Sequence, residues 1–267
     1  MARIRLDHLV HERGLARSRA EAQALILAGR VELEATPGRV LKPGQLVVDD
    51  VALTVVEGPR WASRAGAKVA AALDAFGIDP SGMACLDSGA STGGFTDVLL
   101  EHGARIVYAV DVGRGQLIGR LATDPRVVVM DRTNLRSLER LPEEIGLATL
   151  DLSFISLGLV LPAVLRLLAP SGRVVTLVKP QFEAGRKAVP KGGVVRDAAV
   201  HREVLLGFGA SAEEAGFVPV RAIRSPITGG DGNVEFLALL ERAGGATNPP
   251  DSGWRHTVDA LFEAPVG

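Results

Sequence analysis

Residues 84 to 97 of the chain read ACLDSGASTGGFTD. A short apolar run ends near Asp87, glycines cluster between Gly89 and Gly94, and a helical pattern begins at Thr96. A strand that enters a glycine-rich turn and then a helix is typical of nucleotide-binding α/β domains, because glycine allows a tight turn and the close approach of a ligand. Taken alone, the turn leaves open a dinucleotide site or a simple tight turn without a ligand.

The chain beyond this turn alternates short apolar runs with helical patterns. After a helix from Thr96, the runs are RIVYAVDVG (105–113), RVVVMDR (126–132), ATLDLSF (148–154), RVVTLVKP (173–180), FVPVRAIRS (217–225) and VEFLALLER (234–242). Helical patterns extend through Leu168 and from His201 to Ala215. This alternation predicts an α/β fold with a doubly wound, mainly parallel sheet. The last two runs have only a glycine-rich turn between them, which predicts a final antiparallel hairpin.

The N-terminal part of the chain has a different pattern. Two helical patterns lie between Arg5 and Leu27, and Ser18 with Glu21 forms a predicted capping box. Strands are predicted at 31–33 and 46–56, with turns at 37–38 and 42–44. We therefore expect a small α+β domain at 1–58, a linker at 59–62 and the large domain at 63–267.

The composition limits the classes of protein that need to be considered. The chain has 267 residues, 47% of them hydrophobic and 23% charged, which is ordinary for a globular protein. A single cysteine, Cys85, excludes an intramolecular disulfide and a cysteine-rich metal site, and no metal is expected. The longest uncharged apolar run, 152–165, contains Pro162 and is too short to span a bilayer. With no apolar leader, we expect a cytoplasmic monomer without membrane contact.

Binding to nucleic acid would depend on local basic patches, because the formal net charge is −1. Six arginines lie between Arg3 and Arg30 against three acidic residues, and residues 179–196 carry five basic residues against Glu183. Either patch could equally be solvated surface charge.

Two acidic residues follow the strands after the glycine-rich turn. Asp111 ends the next strand, 22 residues beyond Gly89, where a carboxylate can accept both hydrogen bonds of a ribose diol. Asp131 ends the third strand, where it could reach an adenosine or instead cap the following TNLR segment. Because the turn is not GxGxxG, the pattern favours S-adenosylmethionine over NAD.

Charged residues fall at the ends of the later strands. Asp151 and Lys179 end the fourth and fifth strands, Glu235 opens the last, and Lys68 lies on the first helix of the domain. Ligands bind at the carboxyl edge of a parallel sheet, so these residues are candidates for catalysis, although simple salt bridges are the alternative. A ribose hydroxyl is a poor acid, and methyl transfer to it needs a base; a lysine serves when a second cation and desolvation lower its pKa. Lys179 is the candidate base.

The second domain resembles the TlyA family, called hemolysin A-type in some descriptions, whose catalytic domain is similar to FtsJ-type ribosomal RNA 2′-O-methyltransferases. The motifs that carry the resemblance are SRAGAK (63–68), DSGASTGGFTD (87–97), DVGRGQL (111–117), DRTN (131–134), DLSFISL (151–157), LVKPQFEAGR (177–186), KGGVVRD (191–197) and GNVEF (232–236). In the first domain, RLDHLV, RSRAEAQALILAGRV and KPG are similar to a small RNA-binding fold shared by a ribosomal small-subunit protein and some pseudouridine synthases.

This resemblance implies a Rossmann-like class I methyltransferase that methylates the 2′-hydroxyl of cytidine in ribosomal RNA, of one or both subunits, using S-adenosylmethionine. It implies a catalytic tetrad of Lys68, Asp151, Lys179 and Glu235. The expected cofactor-binding residues are Asp87, Gly89, Ala90, Ser91, Thr92, Gly93, Gly94, Phe95, Asp111, Asp131 and Asn134. The expected RNA-binding residues are Arg3, Arg5, Arg17, Arg19, Arg64, Lys187 and Lys191. Ala65 and Ser88 depart from the family pattern, as does ELEATPGRV, which replaces a short turn of the first domain.

Four other functions are alternatives to this one. Asp151 and Phe154 have the spacing of the D-P-P-Y/F motif of base N-methyltransferases, but Leu152 and Ser153 replace both prolines. Cys85 lies within the first strand, which argues against carbon methylation through a cysteine. A membrane-active hemolysin would need neither the glycine-rich turn nor the charged strand ends. An RNA-binding assembly factor without turnover would leave the four charged residues unexplained.

Overall fold

The computed structural model describes residues 3–27, 30–34, 41, 43–56, 61–185, 189–244 and 253–263. Contacts divide the chain into two compact units, Met1–Ser63 and Arg64–Gly267. Because residues 57–60 are outside the described part, the predicted linker at 59–62 stays a prediction.

The described residues of the N-terminal unit form two short helices and two two-stranded sheets. The elements in chain order are β1 (Arg3–Arg5), α1 (Leu6–Glu12), α2 (Arg19–Leu27), β2 (Val31–Leu33), β3 (Leu46–Val48) and β4 (Leu53–Val55). Strand β1 pairs with β3 and β2 with β4, both antiparallel. Apolar side chains of both helices, among them Leu6, Leu9 and Ile26, pack with strand residues into one core. The hydroxyl of Ser18 accepts the N–H of Glu21, as the predicted cap requires.

Two details of this unit differ from the sequence-based prediction. The run 46–56 is two strands, because Asp49 and Asp50 form a turn in which Val51 N–H donates to the Val48 carbonyl. Both residues favour turns and are poor in strand interiors. Strand β1 was not predicted, because three residues are too few to show an alternation of hydrophobic and polar residues. The predicted turn at 37–38 lies outside the described residues, as does Lys42.

The larger unit is built on a seven-stranded sheet. Its elements are α3 (Gly66–Phe76), β5 (Ala84–Ser88), α4 (Gly94–Glu101), β6 (Ile106–Val110), α5 (Gly119–Ala122), β7 (Val127–Met130), β8 (Ile145–Leu150), α6 (Leu161–Leu167), β9 (Leu168–Val178), α7 (Pro180–Glu183), α8 (Ala198–Glu214), β10 (Phe217–Arg224), β11 (Phe236–Arg242) and α9 (Gly253–Ala260). Short 3-10 helices lie at Leu135–Ser137 and Leu157–Leu159.

The strand order is β10-β11-β9-β8-β5-β6-β7. Strands β5 to β9 are parallel, while β11 pairs antiparallel with both β9 and β10. The prediction of a doubly wound, mainly parallel sheet with a final antiparallel hairpin is therefore confirmed. Strands β5, β8 and β9 are largely buried on both faces, which explains their continuous apolar sequence.

Several helix boundaries differ from the prediction by a few residues. Helix α4 begins at Gly94 and not at Thr96, because Gly93 with a φ of 97° makes the turn into it. Helix α6 ends at Leu167, and Leu168 already belongs to β9. Helix α9 was not predicted; Trp254 anchors it by donating a hydrogen bond to the Leu205 carbonyl on α8.

Candidate functional site

The glycine-rich turn lies at the carboxyl edge of the parallel strands. Gly89 has a φ of 82°, and its N–H donates to the Val110 carbonyl at the end of β6. A Cβ at this position would overlap the carbonyl group of Asp151, approaching its carbon to 2.9 Å. Backbone conformation and space both require glycine here, so the turn fits closely between the ends of β6 and β8.

Asp111 follows β6 and binds the turn directly. Its carboxylate accepts the N–H groups of Ser91 at 2.9 Å and Gly113 at 2.7 Å. Asp131 accepts the N–H of Gly115 at 2.7 Å. The TNLR segment is capped by Asn134, whose side chain accepts the Arg136 N–H. Asp131 is therefore bound to the loop after β6 and does not cap that segment.

A cleft of about 360 Å³ opens beside this turn. Its lining combines the polar turn with apolar side chains from the loops after β6, β7 and β8: Ser88, Gly89, Ser91, Val110, Asp111, Val112, Thr133, Asn134, Leu135, Arg136, Asp151, Leu152, Ser153, Phe154, Ile155 and Val160. Of the predicted cofactor-binding residues, Gly89, Ser91, Asp111 and Asn134 are in this lining. Asp87, Ala90, Thr92, Gly93, Gly94, Phe95 and Asp131 are not.

This cleft fits an adenosine-containing donor. Its volume is within the range of small-molecule pockets, roughly 300–1,000 Å³. Asp111 offers carboxylate oxygens for a ribose diol, apolar side chains such as Val112 and Ile155 offer contact to a base, and Gly89 lets the ligand approach the backbone.

Asp87 lies behind the glycine-rich turn and is fully buried. It accepts hydrogen bonds from the hydroxyls of Thr96 at 2.6 Å and Thr149 at 3.3 Å. Burial raises the pKa of Asp87 from 3.8 to about 7, against the Thr96 hydrogen bond, which favours the ionised form. Asp87 therefore joins α4 to β8 and does not face the cleft.

The four charged residues of the expected tetrad form two ion pairs. Lys68 Nζ lies 2.5 Å from Glu235 Oε2, with side chains 9% and 3% exposed. Lys179 Nζ lies 2.6 Å from Asp151 Oδ1, with side chains 10% and 18% exposed. The register of β9 with β11 ends at Val178 opposite Phe236, so Lys179 and Glu235 come next on these two strands. The structure thus brings both pairs to one sheet edge, where Asp151 also lines the cleft.

The sequence-based reasoning missed part of the surroundings of Lys179. The hydroxyl of Ser153 is 3.0 Å from Lys179 Nζ, which donates to it. The Phe182 ring lies 5.9 Å from the same ammonium. Both residues are in the quoted motifs DLSFISL and LVKPQFEAGR, but nothing in their spacing shows that they meet.

Phe154 is an exposed aromatic side chain at the cleft. It is 90% exposed, and its φ of 64° places a bulky residue in the left-handed region. Its ring centroid lies 4.9 Å from that of Phe182. A strained, exposed aromatic residue beside a charged site is a feature of functional loops.

The segment before α8 is attached to the strand end that carries Glu235. The buried side chain of Asn233 accepts the Val195 N–H at 2.9 Å and donates to the Gly193 carbonyl at 3.0 Å. His201 Nε2 lies 2.9 Å from the Val195 carbonyl oxygen. Lys191 is exposed on this segment and Arg64 is exposed before α3, while Lys187 lies outside the described residues.

The predicted RNA-binding arginines of the N-terminal unit have different environments. Arg3 is exposed on β1. Arg5 and Arg19 both contact the buried carboxylate of Asp7. Arg17 is 93% exposed and pairs with Glu21.

Comparison with known proteins identifies both units. Residues 61–242 match the FtsJ-like methyltransferase family, and residues 4–47 match the S4 domain. The chain is 48% identical over 244 residues to the 16S/23S rRNA (cytidine-2′-O)-methyltransferase TlyA of Mycobacterium tuberculosis, covering 89% of this chain and 90% of that protein. It is 33% identical over 198 residues to the 23S rRNA (cytidine-2′-O)-methyltransferase TlyA of Campylobacter jejuni, covering 74% and 77%.

The hemolysin name also occurs among the relatives. Hemolysin A of Brachyspira hyodysenteriae is 41% identical over 238 residues, covering 88% of this chain and 98% of that protein. A solved structure described as a hemolysin from Streptococcus thermophilus superimposes with a TM-score of 0.74 at 41% identity, covering 98% of this chain and 96% of that one. Within the described residues, every helix is too short or too polar to cross a membrane.

The matches cover most of the chain and confirm the predicted fold, family and S-adenosylmethionine cofactor. The chain belongs to the TlyA family, with an N-terminal S4 domain and an FtsJ-like methyltransferase domain.

Proposed function

We propose that this chain methylates the 2′-hydroxyl of a cytidine ribose in ribosomal RNA, and that Lys68, Asp151, Lys179 and Glu235 carry out the reaction. The observation that carries the proposal is the pair of lysine–carboxylate contacts at one sheet edge, where Asp151, the carboxylate of one pair, is in the lining of the cleft. The substrate follows the names of the relatives from Mycobacterium tuberculosis and Campylobacter jejuni.

Lys179 is the proposed general base. Asp151 and Ser153, which both line the cleft, fix its Nζ by contacts of 2.6 and 3.0 Å, so the amine has a defined position next to the cleft lining. To act as a base, Nζ must first release its own proton to solvent. The neutral amine would then take the proton of the ribose hydroxyl while the oxygen bonds to the methyl carbon and the bond from that carbon to the donor sulfur breaks, leaving a neutral thioether. Asp151 then stabilises the ammonium that this transfer creates.

Lys68 and Glu235 form the second part of the site. Nearly complete burial of their side chains holds the ammonium and carboxylate in one geometry, and a fixed charge acts more strongly there than in water. We assign to Lys68 the orientation of the nucleophilic oxygen and to Glu235 the orientation of Lys68. Bound S-adenosylmethionine supplies a methyl group on a positively charged sulfur, so the residues mainly have to align donor and acceptor.

Phe154 supports a nucleic-acid substrate. An exposed ring in the lining of the cleft can stack on the base of the target nucleotide, and stacking of this kind contributes about 1–3 kcal/mol per base. The same residue keeps base N-methylation as a second candidate, because stacking on the ring is also what the D-P-P-Y/F motif provides.

The test uses purified protein, S-adenosylmethionine with a labelled methyl group, and ribosomal subunits from a strain that lacks the enzyme. Nuclease digestion should place the label on the ribose of cytidine. Label on a cytosine base would replace this function by N-methylation, and absence of label from every nucleotide would contradict methylation of ribosomal RNA.

Two variants of Lys179 separate its proposed roles. Lys179→Ala should abolish the label, and so should Lys179→Arg, because a guanidinium keeps the positive charge but cannot act as a base at neutral pH. Both should bind the cofactor with unchanged Kd in calorimetry. An active Lys179→Arg enzyme would show that the positive charge suffices and that Lys179 is not the base.

A further inference from the structure

Asp7 is a fully buried carboxylate in the N-terminal unit, and the reaction does not use it. Its Oδ1 accepts the Nε of Arg5 at 3.0 Å. Its Oδ2 accepts Nη2 of Arg5 at 2.9 Å, Nε2 of Gln23 at 2.8 Å and Nη2 of Arg19 at 3.4 Å. Three side chains from β1 and α2 therefore meet on one carboxylate.

This cluster has a surplus positive charge at its outer side. The hydrogen bond from the Arg5 guanidinium holds the pKa of Asp7 well below its usual range, although burial acts in the opposite direction. One carboxylate thus pairs with two guanidinium groups, which are 46% and 48% exposed. Each guanidinium has five N–H donors, and the contacts with Asp7 use two of those of Arg5 and one of those of Arg19.

We propose that Asp7 is a positioning residue that holds Arg5 and Arg19 as a pre-ordered pair for a backbone phosphate of the RNA, an inference that rests on the proposed function. Both Nη2 atoms contact the same oxygen, so the two guanidiniums are neighbours and can donate to one phosphate. Ordering two long side chains before binding lowers the entropy cost of the contact. Guanidinium groups also match phosphate geometry, since each can donate two parallel hydrogen bonds.

Two other arginines in the described part of this unit, Arg13 and Arg17, lack this arrangement. Arg17 pairs with Glu21 at the surface, where an ion pair contributes little order. The Arg13 guanidinium donates to the carbonyls of Asp49 and Val51 at 2.7 Å each, which ties the end of α1 to the turn between β3 and β4. Arg5 and Arg19 are therefore the pair that the structure prepares for an anion.

The sign of one substitution tests this proposal. Asp7→Asn removes a negative charge, so electrostatics alone would tighten binding to a polyanion. If Asp7 positions the two arginines, the opposite is expected, and the Kd for the RNA should be about tenfold higher. The slope of log K against log salt concentration should decrease by the equivalent of about one phosphate contact. Glu21→Gln is the matched control, because it removes the same charge from an exposed pair and should leave binding unchanged or slightly tighter.

The measurements use the full chain, in vitro-transcribed 23S RNA for titrations from 50 to 200 mM salt, and ribosomal subunits for methyl transfer. Asp7→Asn should raise KM for subunits and leave kcat and the Kd of S-adenosylmethionine unchanged. Arg19→Ala should weaken RNA binding of the unchanged chain by about tenfold, but by less than threefold in the Asp7→Asn background, because neighbours in one network are not additive. A merely structural role would leave the effect of Arg19→Ala equal in both backgrounds.

Gln23→Met is a milder second variant in case Asp7→Asn does not fold. It removes only the amide donor to Asp7 and should weaken RNA binding two- to threefold. Unchanged or tighter RNA binding by folded Asp7→Asn, or by Gln23→Met when the first variant unfolds, would overturn the positioning role. Methyl transfer by the unchanged chain in the same experiment keeps that result separate from failure of the proposed function.

Discussion

Breaking the Lys68–Glu235 pair should cost stability as well as activity. Glu235→Ala leaves the ammonium of Lys68 without its carboxylate in a site where that side chain is only 9% exposed. Removing one partner of a buried ion pair costs about 3–5 kcal/mol. For a unit of this size, this corresponds to a Tm lower by roughly 6 to 20 °C.

The double variant Lys68→Met/Glu235→Leu separates folding from chemistry. Replacing both members of a buried pair by apolar residues is often neutral or stabilising. We therefore expect its Tm to return close to that of the unchanged chain while methyl transfer stays absent. The partly exposed pair of Arg202 and Asp259, with side chains 37% and 34% exposed, provides the control, because Asp259→Ala should cost less than about 1 kcal/mol.

Differential scanning calorimetry and the labelled-methyl assay measure the two properties on the same samples. If the double variant loses as much stability as Lys68→Met and Glu235→Leu lose in sum, the argument that the two residues stabilise the fold as a pair is refuted, because each would then contribute independently. A double variant that still transfers methyl groups would remove both residues from the reaction.

Three further predictions follow from single positions. Gly89→Ala should abolish cofactor binding in calorimetry, because its Cβ would overlap the Asp151 carbonyl. Gly82→Ala is the control, because Gly82 has a φ of 72° and no atom within 4 Å of a Cβ. It should lower the free energy of unfolding by about 1 kcal/mol and leave cofactor binding intact. Phe154→Gly should raise the free energy of unfolding by about 1 kcal/mol, because it relieves the strain of the left-handed backbone conformation. It should also raise KM for RNA about tenfold, and an unchanged KM would argue against stacking on Phe154. Asp87 has a folded-state pKa of about 7, raised from 3.8. Its contribution to stability is therefore present at low pH and lost as the pH rises from about 4 to about 7. Asp87→Asn should flatten the pH dependence of the free energy of unfolding over this range, as measured by urea unfolding.

The sequence was most informative where a local pattern determines a local structure. The run into Asp87 and the glycines after it predicted the strand, turn and helix around the cleft. Charged residues at the ends of apolar runs predicted which side chains share the carboxyl edge of the sheet, because parallel strands place those ends together.

Tertiary partners were less predictable. The spacing of Lys68 and Glu235 gives no sign that they pair, because strand order decides which ends become neighbours. The sequence gives no sign that Asp7 is buried, because the side chains that donate hydrogen bonds to it come from different elements. The left-handed conformation of Phe154 has no local signal, since large side chains disfavour it and only the surrounding packing imposes it.

The reversed direction of β11 has a consequence for biosynthesis. Because this strand runs against its neighbour β9, it begins at the carboxyl edge of the parallel strands, and the carboxylate that pairs with Lys68 lies 167 residues later in the chain. A nascent polypeptide that has completed the S4 domain and the cofactor turn still lacks this partner. With the role proposed for Glu235, catalytic competence would arise only when β11 joins the sheet, and methyl transfer would then be a measure of completed folding.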